Sequence, residues 1–262
     1  MNKTISIITV VFNNPAGLEK TLQSIVIQTY KNVELIIIDG GSTDGTCGII
    51  KKFEGVVDYW ISEPDHGPYD GMNKGLAKAS GKWVIFMNAG DIFAGDRVLA
   101  RVFSKVPVGA DVIFGDWIAD YKEFNVYRSA SKPDCIWKGM ICSHQSILIR
   151  TSLIKPEGFN LSNPIGADYD MIYLLMNAGA SFFYYPEPIA KTEAYGISHR
   201  NMLKSAKEHF HILKTHEKIN FYQRFFHYRF LVFVIFIVLI YKVLPRRIVL
   251  LMIRYINRNM VV

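Results

Sequence analysis

The most constraining feature of this 262-residue chain is a repeated form: short, continuous apolar runs that each stop abruptly in Asp- and Gly-containing turns. Residues 6–12 are Ile- and Val-rich and end at Asn13-Asn-Pro15, and residues 33–38 end at Asp39-Gly-Gly-Ser-Thr-Asp44-Gly. Residues 56–61 run into Ser62-Glu-Pro-Asp65, and residues 83–87 into Asn88-Ala-Gly-Asp91. Such runs fit strands buried on both faces. Between the first two, Leu18, Leu22, Ile25 and Val26 recur at helical spacing, and further helices are predicted over 46–53 and 71–79. Strand and helix patterns alternating through short connections predict an α/β fold with a mostly parallel sheet flanked by helices.

In open α/β sheets ligands bind outside the carboxyl ends of the strands. Asp39, Asp65 and Asp91 stand at or just beyond three such ends, so the pattern predicts that they face one crevice. One acid there can hydrogen-bond a base or ribose, and another can hold a divalent cation, Mg or Mn, that grips phosphates. Asp91 is the leading metal ligand. The same residue types also make plain turns and helix caps, the simpler reading for Asp44. No GxGxxG follows the first strand and no GxxxxGK[ST] occurs, which argues against dinucleotide and P-loop phosphate binding.

Half the residues are hydrophobic and a fifth charged, a globular composition. Cys47, Cys135 and Cys142 lack CxxC spacing, so neither a disulfide framework nor a structural zinc site is expected, and a reducing location fits. The first apolar run is too short to read as a signal peptide and reads as a strand. The net charge of +7 is a property of the tail: no acid follows Glu217, where eight of the 30 Lys and Arg residues lie, leaving 22 against 23 acids before it. That distribution argues against nucleic acid as a partner.

Four segments in order, Ile5 to Asn13, Ile38-Asp-Gly-Gly-Ser-Thr-Asp-Gly-Thr46, Ser62-Glu-Pro-Asp-His-Gly-Pro-Tyr-Asp-Gly-Met-Asn-Lys-Gly75 and Met87-Asn-Ala-Gly-Asp91, resemble the signatures of the family 2 inverting nucleotide-sugar glycosyltransferases. Within that family they are similar to the branch that builds bacterial exopolysaccharide, O-antigen and colanic acid units. The resemblance covers about residues 4–200 and implies a GT-A (Rossmann-like) fold, with a nucleotide-sugar-binding half over 1–100 and an acceptor-side half over 101–215. It implies donor-nucleotide contacts at Thr9, Val11, Asn13, Asp39, Asp65 and Asn88, with Lys74 near the phosphates. Asn88-Ala-Gly-Asp91 stands in the place of a DXD-type motif but lacks the acids at 88 and 90, leaving Asp91 for the metal. His144 and Gln145 resemble an acceptor-side His-Gln signature. Gly166-Ala-Asp-Tyr-Asp-Met171 matches the region of the catalytic base, expected at Asp168, with Asp170 as the alternative on the acceptor side. Asp168 is also suited to cap a helix over 169–177.

Residues 230–241 form an uncharged apolar stretch of 12, against about 20 for a bilayer span. With Arg229, Lys242, Arg246, Arg247, Arg254 and Arg258 around it, residues 216–262 are expected to form a helical tail lying in or shallowly entering an anionic membrane surface. A buried helix or an oligomer interface is the alternative. The combined expectation is transfer of one sugar, with inversion, from a nucleotide-sugar to a lipid-linked saccharide at the cytoplasmic face of the inner membrane. No QxxRW motif occurs, which by the resemblance argues against a processive synthase. A nucleotide-sugar-binding scaffold without catalysis is the rival from another class. A sugar-nucleotide pyrophosphorylase is a third reading, opposed by the lack of a Gly-rich basic loop in residues 12–17.

Overall fold

The computed structural model describes residues 4–216 and 219–262, so Lys218 of the tail lies outside the described residues. In chain order the elements are β1 (Ile5–Val11), α1 (Pro15–Val26), β2 (Val33–Asp39), α2 (Thr46–Lys52), β3 (Tyr59–Ser62), α3 (Pro68–Lys78), β4 (Trp83–Phe86), β5 (Ile92–Phe93) and α4 (Val98–Lys105). Then come β6 (Val112–Asp120), β7 (Asn125–Arg128), β8 (Ile147–Arg150), α5 (Thr151–Ile154), α6 (Ala167–Asn177), β9 (Phe182–Glu193), α7 (Ile197–Arg200) and α8 (Met202–His216). The tail holds α9 (Phe221–Val243) and α10 (Arg246–Ile256).

One sheet carries the molecule, in the order β3-β2-β1-β4-β8-β6-β9-β5 with β7 paired to β6. β3, β2, β1 and β4 pair in parallel, as the four apolar runs predict. Beyond β4 the pairing is mixed: β8 runs antiparallel to β4 and β6, β9 parallel to β6, and β5 antiparallel to β9. The α/β expectation therefore holds, with the parallel character concentrated in the first half.

All seven residues of β1 are buried. Ile5, Ile7 and Val11 face the side covered by α1, α2 and α4, packing among Leu18, Leu22, Ile50 and Leu99. Ile8 and Val10 face α3 and α6, packing with Met72, Leu76, Tyr169 and Tyr173. Each such buried side chain contributes about 1.5–3 kcal/mol of transfer free energy. Helix α3 lies so near β1 that a Cβ on Gly75 would fall 2.5 Å from Ile8 Cγ2. That closeness brings the first turn of α3, with Tyr69, over the carboxyl ends of the strands.

Three expected boundaries moved, one being the start of α3, at Pro68 rather than 71. The apolar run at 56–61 begins with a 3₁₀ turn, Glu54–Val56, so β3 starts only at Tyr59. Helix α6 begins at Ala167 with Gly166 as its N-cap, so Asp168 is not the cap but lies in the first turn. Its carboxylate is thereby free to face away from the helix axis, toward the strand ends.

In the tail, α9 is a single helix of 23 residues, long and apolar enough to cross a membrane by length and composition. Its root is fixed to the body. Trp137 packs edge-on against Tyr222 and Phe226, His227 bonds the Trp137 carbonyl at 2.7 Å, and Phe210 stacks on His227. Most of α9 beyond that root is exposed: Val232, Phe233, Phe236, Leu239 and Val243 each present more than half their surface. Leu250 and Ile253 of α10 pack against Ala119, Tyr121 and Phe124, while Leu251, Tyr255 and Ile256 are exposed.

Candidate active site

A cavity of about 760 Å³ opens at the carboxyl ends of β1 and β4. One end is built from Val10, Val11 and Phe12 of β1 and its exit, with Asn14, Asp65 and Gly67. Its floor carries Asn88 and Asp91, and its far wall His144, Asp168, His209 and the 192–200 loop.

Asp168 is the centre of the far wall. Its Oδ2 lies 3.2 Å from His144 Nδ1, and its Oδ1 accepts the Tyr169 N–H at 2.8 Å. The Tyr69 hydroxyl donates to the Ile165 carbonyl at 2.9 Å and also lies against the Asp168 carboxylate. Burial works to raise the Asp168 pKa, but His144, His209 and Tyr69 together hold it below the ordinary value. Asp168 is thus an ionised carboxylate at neutral pH, with 15% of its side chain open to the cavity. The same burial, with Asp168 beside it, pushes the Tyr69 phenol well up, so that it stays a hydrogen-bond donor.

His144 connects this acid to the floor, because its Nε2 lies 3.3 Å from Asn88 Nδ2. A neutral ring donates from Nδ1 to Asp168 and accepts at Nε2 from the amide. An imidazolium would instead be met by the Asn88 carbonyl oxygen, which is otherwise buried without a partner.

Asp91 is buried at the cavity floor. Its Oδ2 accepts Gln145 Nε2 at 2.6 Å and its Oδ1 accepts the Glu193 N–H at 3.1 Å. Burial pushes its pKa up to about 6, against the pull of His144 and these hydrogen bonds. Gln145, expected on the acceptor side, is fully engaged between Asp91 and the Ser143 hydroxyl. It lines the cavity and orients the floor.

Another carboxylate stands beside position 90, where the motif's acid is missing. Gly90 adopts φ +108°, and a Cβ there would lie 3.3 Å from the carboxyl carbon of Glu193, which reaches across from the end of β9. Among the described residues no group of three His, Cys, Asp or Glu is placed to hold a metal by itself. Asp91, Glu193 and Asn88 all line the cavity and carry oxygen donors of the kind that Mg or Mn takes. A cation carried by a diphosphate needs only one or two protein carboxylates, the phosphates completing its shell.

Several expected site residues are elsewhere. Asp39 is fully buried, accepting hydrogen bonds from the Ser42 N–H and from the Ser42 and Ser62 hydroxyls. Burial raises its pKa, but these bonds outweigh it and keep the carboxyl below its usual value. It fastens the loop beyond β2 and stands outside the cavity lining. Thr9 is buried within β1 behind the cavity wall. Asn13, at φ +46°, is a clasp between loops, its side chain accepting the Thr43 N–H and its backbone N–H bonding Ser42; the neighbouring Asn14 is the one that lines the cavity. Lys74 is turned outward, 2.8 Å from Glu63 and 2.9 Å from the Pro64 carbonyl, and stands outside the cavity lining. Asp170 is buried on the other face of α6, holding Asn160, Asn163 and His216 at 3.0, 2.8 and 2.6 Å. It is a packing hub that stands outside the cavity lining. Of the expected residues, Val11, Asp65, Asn88, Asp91, His144, Gln145 and Asp168 do line the cavity.

The family model for glycosyl transferase family 2 matches residues 6–168. This chain belongs to that family. An uncharacterized glycosyltransferase of Mycobacterium tuberculosis is 34% identical over 182 residues, 64% of this chain and 67% of that protein. A PGL/p-HBAD biosynthesis glycosyltransferase of Mycobacterium bovis is 35% identical over 171 residues, 63% of this chain and 66% of that protein. The chain thus spans about two thirds of these relatives' length. Among solved structures, a mannosyltransferase of Pyrobaculum calidifontis in complex with GDP-Man and Mn2+ superposes with TM-score 0.63 at 16% identity, covering 82% of this chain and 65% of that one. Glucosyl-3-phosphoglycerate synthase of Mycobacterium tuberculosis, in complex with Mn2+, UDP and its product, gives 0.60 at 16% identity, covering 81% and 79%. These likenesses establish the GT-A fold.

Sequence reasoning missed Tyr69, Glu193 and His209. Each reaches Asp168 or Asp91 through tertiary contact, from α3, β9 and α8; Tyr69 lies within the 62–75 motif, which could have drawn attention to it, whereas Glu193 and His209 carry no local motif.

Proposed function

We propose that the chain transfers a single sugar from a nucleotide-sugar to a saccharide acceptor with inversion, the acceptor being carried on a membrane lipid diphosphate. The observation that supports this most directly is an ionised Asp168 on the wall of the cavity, braced by His144 and Tyr69. Direct displacement needs one carboxylate to take the proton of the attacking hydroxyl as the bond to the anomeric carbon forms. Asp168 is that base; His144 holds its Oδ2 and Tyr69 fixes its orientation. The donor nucleotide lies at the Val11, Phe12 and Asp65 end, so its sugar extends over Asn88 toward Asp168.

A divalent cation bound by Asp91, Glu193 and Asn88 would neutralise charge on the leaving diphosphate. The Gly196-containing loop covers the cavity from the acceptor side. The tail, over 216–262, associates with the anionic cytoplasmic face of the membrane through the exposed faces of α9 and α10, which lie beside their Arg residues. Bacterial cell-surface glycan assembly is the pathway class this arrangement suits.

Calorimetry of UDP, GDP and dTDP with and without Mn or Mg, on detergent-solubilised full chain, tests the donor side. Tight binding of one nucleotide, enhanced by metal, supports the reading. Followed by nucleotide-sugar turnover in a membrane extract, it separates catalysis from a scaffold: binding without acceptor-dependent release of nucleotide would favour the scaffold.

A further inference from the structure

A second cavity, of about 460 Å³, adjoins the first and shares Glu193 and Arg200 with it. It lies where three parts of the acceptor side meet: the turn after β6, the 195–200 loop, and the elbow between α9 and α10. No residue of the first hundred lines it, so the donor-binding half contributes nothing to its wall. A ligand here is consequently not the donor's own diphosphate.

Its chemistry is divided. Lys122, Arg200 and Arg246 bring cationic side chains, whereas Tyr241, Leu244 and Val249 give the tail side an apolar surface. Of the two acids in the lining, Asp120 is already paired with Lys191 at 3.1 Å and with Lys20 at 3.8 Å. Glu193 is turned toward Gly90 and the first cavity. Arg246 meets Glu123 at 3.4 Å in an exposed pair, which holds it weakly. It stands in the first turn of α10, where the helix dipole adds further positive potential. The loop is joined to the tail through an aromatic ladder: Tyr195 meets His199 edge-on at 4.9 Å, and His199 stacks on Tyr241 at 5.5 Å. Arg200 Nε donates to the Tyr195 carbonyl at 3.1 Å, and Arg246 lies over the Tyr195 ring.

A saccharide joined through phosphate to a long apolar chain has this same order of chemistry: sugar, anion, hydrocarbon. We propose that the second cavity is the subsite for the phosphate or diphosphate of a lipid-linked acceptor. Its sugar enters the first cavity past Glu193, and its hydrocarbon leaves along the α9–α10 elbow. This rests on the lipid-linked acceptor of the proposed function and adds the residues that would recognise the linkage: Lys122, Arg200 and Arg246.

The test is co-sedimentation of the full chain with neutral phosphatidylcholine vesicles carrying a few per cent of farnesyl diphosphate. Parallel vesicles carry phosphatidylglycerol at equal surface charge, and nucleotide binding is measured on the same preparations. The wild type is expected to prefer the diphosphate vesicles by about tenfold, with inorganic pyrophosphate competing. The Lys122→Gln/Arg246→Gln double variant is expected to lose that preference. A Lys51→Gln/Lys105→Gln variant, with the same charge change on other surfaces, keeps it. Equal binding to both vesicle types shows general headgroup attraction and overturns the subsite, as does a preference that survives in the Lys122→Gln/Arg246→Gln variant. Absence of nucleotide binding by folded wild type would count against the glycosyltransferase reading instead, with the vesicle comparison still deciding the subsite.

Discussion

The two ends of the main cavity use their carboxylates in opposite ways. Near the β1 and β2 ends strand-terminal acids fasten loops: Asp39, behind the cavity wall, ties the Ser42 N–H and the Ser42 and Ser62 hydroxyls, and Asp65 accepts the Gly67 N–H at 2.9 Å while still facing the cavity. At the acceptor end, Asp168 bonds only one backbone N–H and is otherwise surrounded by side chains that can exchange or orient a proton, His144, His209 and Tyr69. An acid that satisfies a loop fixes shape. An acid that opens onto a cavity between imidazoles and a phenol is placed to do chemistry.

The sharpest test of that difference lies within α6, where two acids stand two residues apart. Asp168→Asn is expected to lower transfer by about 10²- to 10⁴-fold, the usual worth of a positioned base, while nucleotide affinity stays unchanged. Asp170→Asn leaves part of a buried donor set unmatched and is expected to cost about 1–3 kcal/mol of stability. The readouts are single-turnover transfer for the first and thermal unfolding for the second. If Asp170→Asn abolished transfer in protein as stable as wild type, the assignment of the two faces would be reversed.

A smaller effect separates the floor from the wall. Glu193→Gln removes the carboxylate that occupies the place of a side chain at Gly90, and metal enhancement of nucleotide binding is expected to fall by about 10- to 100-fold. Metal-free nucleotide binding serves as the control and is expected to hold. Calorimetry with and without Mn measures both.

The wall itself is sharpened by pH. Because the folded-state pKa of Asp168 is depressed, its ionised form contributes stability above its unfolded pKa, and that contribution is lost as pH falls through the lower folded value. In His144→Gln, burial meets less opposition, so the folded pKa rises. The acid limb of the transfer rate is then expected to move to higher pH, read from a rate profile of the variant against wild type. An unmoved limb would show that His144 does not set the state of Asp168.

These contrasts also mark what could be read from the sequence. β1, β2 and β4 are uninterrupted apolar runs stopped by Asn, Gly and Asp, so strand, parallel order and the edge holding the site were all legible. Asp91 and Asp168 were legible as acids in the right motifs. Their environments were not, because Gln145 and Glu193 reach Asp91 from 54 and 102 residues away, and Tyr69 reaches Asp168 across nearly a hundred. The antiparallel second half was equally hidden, since β8 pairs with β4 and β6 at long range and its run of three apolar residues is compatible with either direction. The tail was under-read. Counting only its uncharged core gave 12 residues, whereas the helix continues through Arg229 and Lys242 to 23, since charged residues do not end a helix and long ones can lay their stems along its surface.

Lys74 gives the smallest predicted effect and the most direct contrast between motif and geometry. Motif resemblance puts it beside the donor phosphates, but its ammonium is held by Glu63 and the Pro64 carbonyl on the outer side of α3. An exposed ion pair of this kind contributes about 0–1 kcal/mol. Lys74→Gln is therefore expected to shift nucleotide affinity by no more than about twofold and unfolding by at most that small amount, both measurable on one preparation. A tenfold loss of affinity at unchanged stability would mean that Lys74 leaves Glu63 and swings to the phosphates when the donor binds. The donor end would then share the ionic character that the structure otherwise confines to the acceptor wall and the second cavity.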